Sequence, residues 1–365
     1  MSLQLNGDTG VTFNDASLQG AAASPFGLKN RIINGDMRID QRNAGASGTA
    51  INVYTVDRWQ YIAVQASKGT WQQNAGSVAP PAGFSNYLGF TSSSSYSVLT
   101  GDTFLFNQAI EGYNIADLDW GTANAKTVTL SFWVRSSLTG TFGGALSNDP
   151  ARSYAFSYTI SAANTWEQKT ITIVGDQSGT WNKTNSLGVV VRFGLGSGAT
   201  YSGTAGAWTA GNLVQPTGTV SVVGTNGATF YITGVQLEQN TSATPFERRL
   251  YNQELANCQR YYARLTSASG NFVGHGAGYV VNSTSSNAWI KYPTTMRAAP
   301  TLAVSGLAIT DGNANYSITS LGSIYYGYDG LLATFVNSSG ATQFRPIIVI
   351  ALNNTTGYVE IAAEL

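Results

Sequence analysis

GVQLEQNTSATPFERRLYNQELANCQRYY, residues Gly234–Tyr262, is the stretch from which the fold of this chain is read. Phe230–Leu237 alternates apolar and polar residues, the period of a half-buried strand, and that strand ends at Glu238. A polar turn follows, and then a charged opening to the one convincing helix of the chain, over Pro245–Leu265. Leu250, Leu255, Cys258, Tyr262 and Leu265 recur at helical spacing, and Glu247 sits where the helix dipole favours negative charge. Thr244 is the expected N-cap, with Pro245 at the first helical position and Glu247 closing a capping box.

Outward from this stretch the pattern is all-β on both sides. Upstream, Thr127–Val134, Tyr154–Ile160, Lys169–Val174 and Leu187–Phe193 read as strands. Gly/Ser/Asn clusters at Gly140–Gly144, Asp176–Gly179 and Gly194–Gly206 separate them. Many short strands with such turns indicate a sandwich or jelly roll, and the lack of a fixed short repeat disfavours a β-helix. Downstream, Thr301–Ile309, Ser317–Tyr326, Leu331–Val336, Pro346–Leu352 and Tyr358–Ile361 read as strands of a smaller sandwich of about a hundred residues. The expected order is an arm over 1–29, a β domain over 30–246, a linker helix over 247–265 and a C-terminal β domain over 266–365. The arm reads either as an attachment segment or as a loose terminus. The helix either lines a threefold axis or packs on one domain.

Composition narrows the function. The chain has 365 residues and balances 19 Lys+Arg against 19 Asp+Glu, so it lacks the basic footprint of nucleic-acid binding. With 43% hydrophobic and 12% aromatic residues it has material for a core, despite only 10% charge and 41 glycines. The single cysteine, Cys258, excludes an internal disulfide and a multi-cysteine zinc site. Neither a signal peptide nor a membrane-spanning run is expected.

The junction resembles one found in phage tail-fibre and related virion surface proteins, through GVQLE (Gly234–Glu238), ATPFERR (Ala243–Arg249) and ELANCQRYY (Glu254–Tyr262). NRIINGDMRIDQRN (Asn30–Asn43), VDRW (Val56–Trp59), LSFWVRSSL (Leu130–Leu138) and FYITGVQLE (Phe230–Glu238) are similar to further stretches of that family. The resemblance implies a jelly-roll, carbohydrate-binding-like β-sandwich joined by one short helix to a smaller C-terminal β-sandwich. It also implies a virion location, a homotrimer, contact with other virion proteins through the arm, and host-surface adhesion. It leaves open a head fibre or capsid decoration protein, and a polysaccharide-degrading tailspike.

Chemistry-bearing residues are sparse. His275 is the sole histidine, and nothing in the sequence nominates partners for a relay. Glycoside hydrolysis needs two carboxyls roughly 5–10 Å apart; Asp117 with Asp119, Asp36 with Asp40, and Asp57 are the pairs to inspect. No metal-ligand spacing stands out, no cofactor is expected, and Glu238 is the carboxylate to inspect for a structural calcium, or for a link to Arg248 or Arg249. Cys258 reads as packing rather than as a nucleophile. Aromatic residues are the better candidates, because sugar rings stack on Trp and Tyr while their hydroxyls meet polar partners. Trp181, Tyr201 and Trp208 stand in Gly-rich polar surroundings, and Tyr326, Tyr328 and Asp329 form a second group. Each is read either as a glycan contact or as packing in a core or subunit interface.

Overall fold

The computed structural model describes residues 4–6, 10–12, 18–19, 29–149, 151–267 and 272–365. The expected arm over 1–29 lies outside the described residues, apart from Lys29 and three short strands, Gln4–Asn6, Gly10–Thr12 and Leu18–Gln19, which pair antiparallel.

The fold is all-β, as the alternation requires. Strands Val128–Ser136, Leu187–Ser197 and Thr229–Glu238 form where the period-two pattern is strongest. A seven-stranded antiparallel sheet runs in the order Trp208–Ala210, Arg152–Ile160, Gly140–Ser147, Leu187–Ser197, Thr103–Glu111, Trp59–Ala63, Val53–Val56. Facing it is a five-stranded sheet, in the order Glu167–Ile173, Val128–Ser136, Thr229–Glu238, Leu88–Ser92, Gly69–Gln73. Between them lies a dry aromatic core that includes Trp59, Phe104, Phe132, Phe156, Phe193 and Phe230. This is the jelly-roll β-sandwich expected from the sequence.

Gly234 explains itself here. Its φ is +61°, where only glycine sits without strain, and the pairing of its strand with Val128–Ser136 slips in register across it. An added Cβ would also come within 2.6 Å of the Phe84 ring. The bulge lets both Val235 and Gln236 sit fully buried.

The helix is shorter than expected, Tyr251–Gln259 rather than 247–265. Its N-cap is Leu250, without a side-chain cap, so the Thr244–Pro245–Glu247 start does not form. Those residues have other partners: the Thr244 hydroxyl donates to Glu238 (2.7 Å), and Glu247 accepts the backbone N–H groups of Lys29 (3.2 Å) and Asn30 (2.9 Å). At its far end the chain leaves the helix after Arg260, and Tyr262–Thr266 is a strand. Tyr262 and Leu265 satisfy helical spacing, but strand pairing with Tyr358–Ala362 wins.

The second domain also has two sheets around one core. Tyr262–Thr266, Tyr358–Ala362 and Thr301–Ser305 form the smaller one. The other closes on itself as a six-stranded barrel, in the order Val273–Asn282, Ser285–Lys291, Gly330–Asn337, Asn315–Tyr326, Ala308–Thr310, Pro346–Ala351. Closure removes the free edges of that sheet. Two of its strands, Val273–Asn282 and Ser285–Lys291, were not anticipated, and the expected strand Thr301–Ile309 is two strands belonging to different sheets.

Buried polar contacts join the domains. Glu111, at the end of its strand, accepts both guanidinium nitrogens of Arg260 (2.9 and 2.6 Å) and the Tyr261 hydroxyl (2.7 Å). Arg58 pairs with Glu364 and stacks on Tyr261, while Arg42 meets Glu364 (2.9 Å) and lies 3.4 Å from the centre of the Tyr262 ring. Arg297 donates to the carbonyls of Asn185, Ala363 and Glu364, each at 2.8 Å.

Candidate functional site: the aromatic face of the C-terminal barrel

The six residues singled out in the sequence fall in two places. Trp181 is buried, with 6% exposure, and so offers no free ring to a ligand. Its ring stands edge-on to Trp120 (4.7 Å) and Trp208 (5.3 Å), and Trp208 also meets Tyr154 (5.4 Å). Indole N–H groups of all three tryptophans donate to backbone carbonyls: Trp120 to Lys126 (2.8 Å), Trp181 to Ser178 (3.2 Å), Trp208 to Val174 (2.7 Å). Each ring pair adds about 0.5–1.5 kcal/mol beyond burial, so the trio fastens the edge of the seven-stranded sheet. Its polar, Gly-rich sequence setting hides this, because Trp120 comes from a distant loop. Trp208 is half-buried and also lines a groove of ≈ 360 Å³ with Gly203, Thr204, Ala207 and Leu213. Tyr201 is half-buried on the short turn Ala199–Tyr201, where its carbonyl accepts the Val214 N–H (2.8 Å).

The second group is brought together. Asn315–Tyr326 and Gly330–Asn337 are joined by a tight hairpin closed by Gly327 N–H donating to the Gly330 carbonyl (2.8 Å). Tyr328 and Asp329 form its tip, so Tyr326 ends one strand and Tyr328 stands on the turn, rather than both alternating along one strand. Tyr325, Tyr326 and Tyr328 are 62%, 52% and 84% exposed. Exposed rings in such a cluster mark an interaction surface rather than a core.

Sequence reasoning missed Trp289, the residue that turns the cluster into a platform. It projects from Ser285–Lys291, is 40% exposed, and lies against the hairpin backbone. A Cβ at Gly327 would come within 2.7 Å of its ring, and one at Gly330 within 2.6 Å. The two glycines therefore let the indole rest on bare main chain. Glycines on both sides of the Tyr328–Asp329 tip were the signal available, but it points to Trp289 only once the strands are in register. Below, Tyr292 donates its N–H to the Asp329 carbonyl (2.9 Å), and its phenol is pushed up by burial and then by Tyr326 and Asp329.

The titratable groups considered for catalysis have other engagements. Asp117 pairs with Arg31 (2.6 Å), and Asp119 lies 3.8 Å from both Lys126 and Lys183. Asp36 pairs with Arg38 (3.3 Å), and Asp40 accepts the Asn43 and Gly45 N–H groups. Asp57 is buried, accepts from Gln41, and is pushed up to about 7 by burial. Glu238 links to neither Arg248 nor Arg249; it accepts from Gln236 (2.8 Å) and from the N–H (2.9 Å) and hydroxyl of Thr244. Ser267 and His275 share a hydrogen bond of 2.8 Å, with Ser267 fully buried, and burial lowers the His275 pKa. Burial raises the Cys258 thiol well above its usual value, which keeps it protonated. Among the described residues no group of three or more His, Cys, Asp or Glu is placed to hold a metal ion.

Comparison with protein-family models and with curated proteins finds no match. Among solved structures, the chain is similar to the enzymatically active domain of bacteriophage CBA120 tailspike protein 4, at 13% identity and a TM-score of 0.31, over 58% of this chain and 22% of the tailspike. A putative sugar binding protein from Bacteroides thetaiotaomicron matches at 11% identity and a TM-score of 0.35, over 58% of this chain and all of its own length (100%). A family 11 carbohydrate-binding module from Clostridium thermocellum matches at 9% identity and a TM-score of 0.27, over 54% of this chain and 98% of the module.

Proposed function

We propose that this chain is a non-catalytic glycan-binding adhesin of the virion-fibre type, which holds a host-surface sugar on the barrel of its C-terminal domain. The observation that carries this reading is the Trp289 ring resting on Gly327 and Gly330, in one cross-strand row with exposed Tyr325 and next to the hairpin tip that carries Tyr328. Such a surface offers rigid ring faces at little entropic cost, with the Asp329 carboxylate beside them for sugar hydroxyls. The engagement of Asp36, Asp40, Asp57 and Asp117 in fixed local contacts supports binding without bond cleavage.

The virion assignment draws its support from the resemblance of the junction to phage fibre proteins. Single sugar contacts are weak, so a homotrimer repeated around a particle gains avidity through effective concentration. Attachment through the N-terminal arm would leave the C-terminal barrel free to meet the cell. The test is binding of the purified full chain to a glycan array and to host cells, alongside immunogold labelling of intact virions. Retention on glycans with gold at the tail supports the reading. Gold over the capsid would make the chain a head fibre or decoration protein, and loss of polysaccharide viscosity would make it a degrading tailspike.

A further inference from the structure

Five side chains on five successive barrel strands lie in one row: Ile348, Ala277, Trp289, Leu332 and Tyr325. Their pairing is direct, Ile348 opposite Ala277, Ala277 opposite Trp289, Trp289 opposite Leu332, and Leu332 opposite Tyr325. All five are at least partly exposed, and none is charged. One pleat along the strands runs a second row, Pro346, Tyr279, Asn287 and Thr334. Beyond Pro346 this one is polar and internally bonded: the Thr334 hydroxyl donates to the Asn287 side-chain Oδ1 (2.8 Å), and the Asn287 side-chain amide to the Tyr279 hydroxyl (3.5 Å). It too carries no charged side chain.

Trp289 and Tyr325 are two strands apart, a separation of about 10 Å at ordinary strand spacing. A linear polymer whose sugar repeat is close to one inter-strand step would meet rings two strands apart with every second sugar. We infer that the row is a track for a linear, uncharged polysaccharide running across the strands, with alternate sugars stacked on Trp289 and Tyr325. Leu332 fills the gap beneath the intervening sugar, and the Tyr279–Asn287–Thr334 row meets the hydroxyls along one edge. Neither row holds a counter-ion for a charged polymer, and the polyuronate comparison tests whether Lys291, exposed at the next outward position after Trp289, supplies one. The proposal rests on the adhesin reading and adds to it the direction, minimum length and charge of the ligand.

The experiment uses the full chain with β-1,4-linked gluco-, manno- and galacto-oligosaccharides, each from disaccharide to hexasaccharide, and polyuronates of the same linkage as charged comparators. In a neutral series, affinity is expected to climb by about tenfold or more between disaccharide and tetrasaccharide and then level off, as the second ring engages. Trp289→Ala and Tyr325→Ala should each flatten that climb, with the variants' unfolding and mass in light scattering unchanged. Equal affinity at all lengths, a preference for polyuronates, or binding that survives both substitutions overturns the track and leaves the adhesin reading standing. A fall in oligomer mass in Trp289→Ala also overturns it, because the row is then covered by a second copy of the chain. Binding to no glycan of a broad array by the unaltered chain overturns both.

Discussion

At the junction of the two domains the charged side chains are largely buried and pair with one another; on the outer face of the barrel the large side chains are mostly aromatic and keep a ring face in solvent. Glu111, Arg260, Arg58, Arg42 and Glu364 form the first region, and Trp289, Tyr325 and Tyr328 the second. Asn30–Asn43, Val56–Trp59 and Glu254–Tyr262 meet at the junction. The Asn34 side chain bonds the carbonyls of Ile39 (2.8 Å) and Asp57 (2.9 Å), and the Gln41 amide reaches the Tyr262 carbonyl (2.9 Å). Buried polar groups demand specific partners, so they demand specific residues. A ligand surface of stacked rings makes no such demand on its neighbours, and it leaves a weaker trace in sequence.

The largest loss of stability should follow from breaking the junction. Glu111→Ala leaves the Arg260 guanidinium and the Tyr261 hydroxyl without their shared acceptor, in a position where Glu111 is 1% exposed. Arg260, the charge left behind, is 33% exposed and can take up water, so the cost should be about 1–3 kcal/mol, below that of a fully buried pair. Denaturant unfolding should show that loss, with the two domains unfolding separately where the intact chain unfolds as one. A loss under about 1 kcal/mol would place this contact with ordinary surface ion pairs and break the contrast drawn between the regions.

Asp57 gives the junction a pH signature. Burial raises its carboxyl to about 7 from 3.8, against the pull of the Gln41 hydrogen bonds. The folded chain thus keeps a proton that the unfolded chain gives up near pH 4, so this group makes stability fall as pH rises from about 4 to about 7. Asp57→Asn removes that slope. Relative to the parent, the variant should gain up to about 4 kcal/mol between pH 4 and pH 8. Unfolding curves at the two pH values check it; a parallel displacement of both would mean that Asp57 does not titrate across this window.

These contrasts also say what was legible in the sequence. Strands were, because alternation at Val128–Ser136, Leu187–Ser197 and Thr229–Glu238 is a local property. The end of the helix was not: Tyr262 and Leu265 keep helical spacing, and only the partner strand Tyr358–Ala362 decides against it. For the ring candidates the same divide holds. Tyr326, Tyr328 and Asp329 are neighbours in the chain, and the hairpin keeps them so. For Trp181 the sequence leaves contact and core packing open because its burial depends on Trp120, and Trp289 is missed because its platform depends on Gly327 and Gly330, all distant in sequence.

Gly327→Ala tests the platform without touching a ring. The new methyl would come 2.7 Å from Trp289 at a position with ordinary backbone angles, so the indole has to lift or turn. The stability cost should be about 1 kcal/mol, since the ring edge is exposed and yields. Glycan retention should nevertheless fall as far as in Trp289→Ala. Unchanged retention would show that the sugar does not use this face of the indole.

The smallest effect on stability, and the sharpest separation of the two regions, should come from Tyr328→Ala. At 84% exposure, on a turn closed by backbone atoms of Gly327 and Gly330, the ring contributes almost nothing to folding. Surface changes of this kind stay within about 0.5 kcal/mol. Unfolding curves of the variant should therefore overlay those of the parent, while its retention on glycan or on host cells drops. If both stay unchanged, the hairpin tip lies outside the contact and binding is confined to the row from Ile348 to Tyr325. If stability falls instead, Tyr328 packs against a neighbouring subunit, and the exposed cluster belongs to the assembly of the fibre rather than to its ligand.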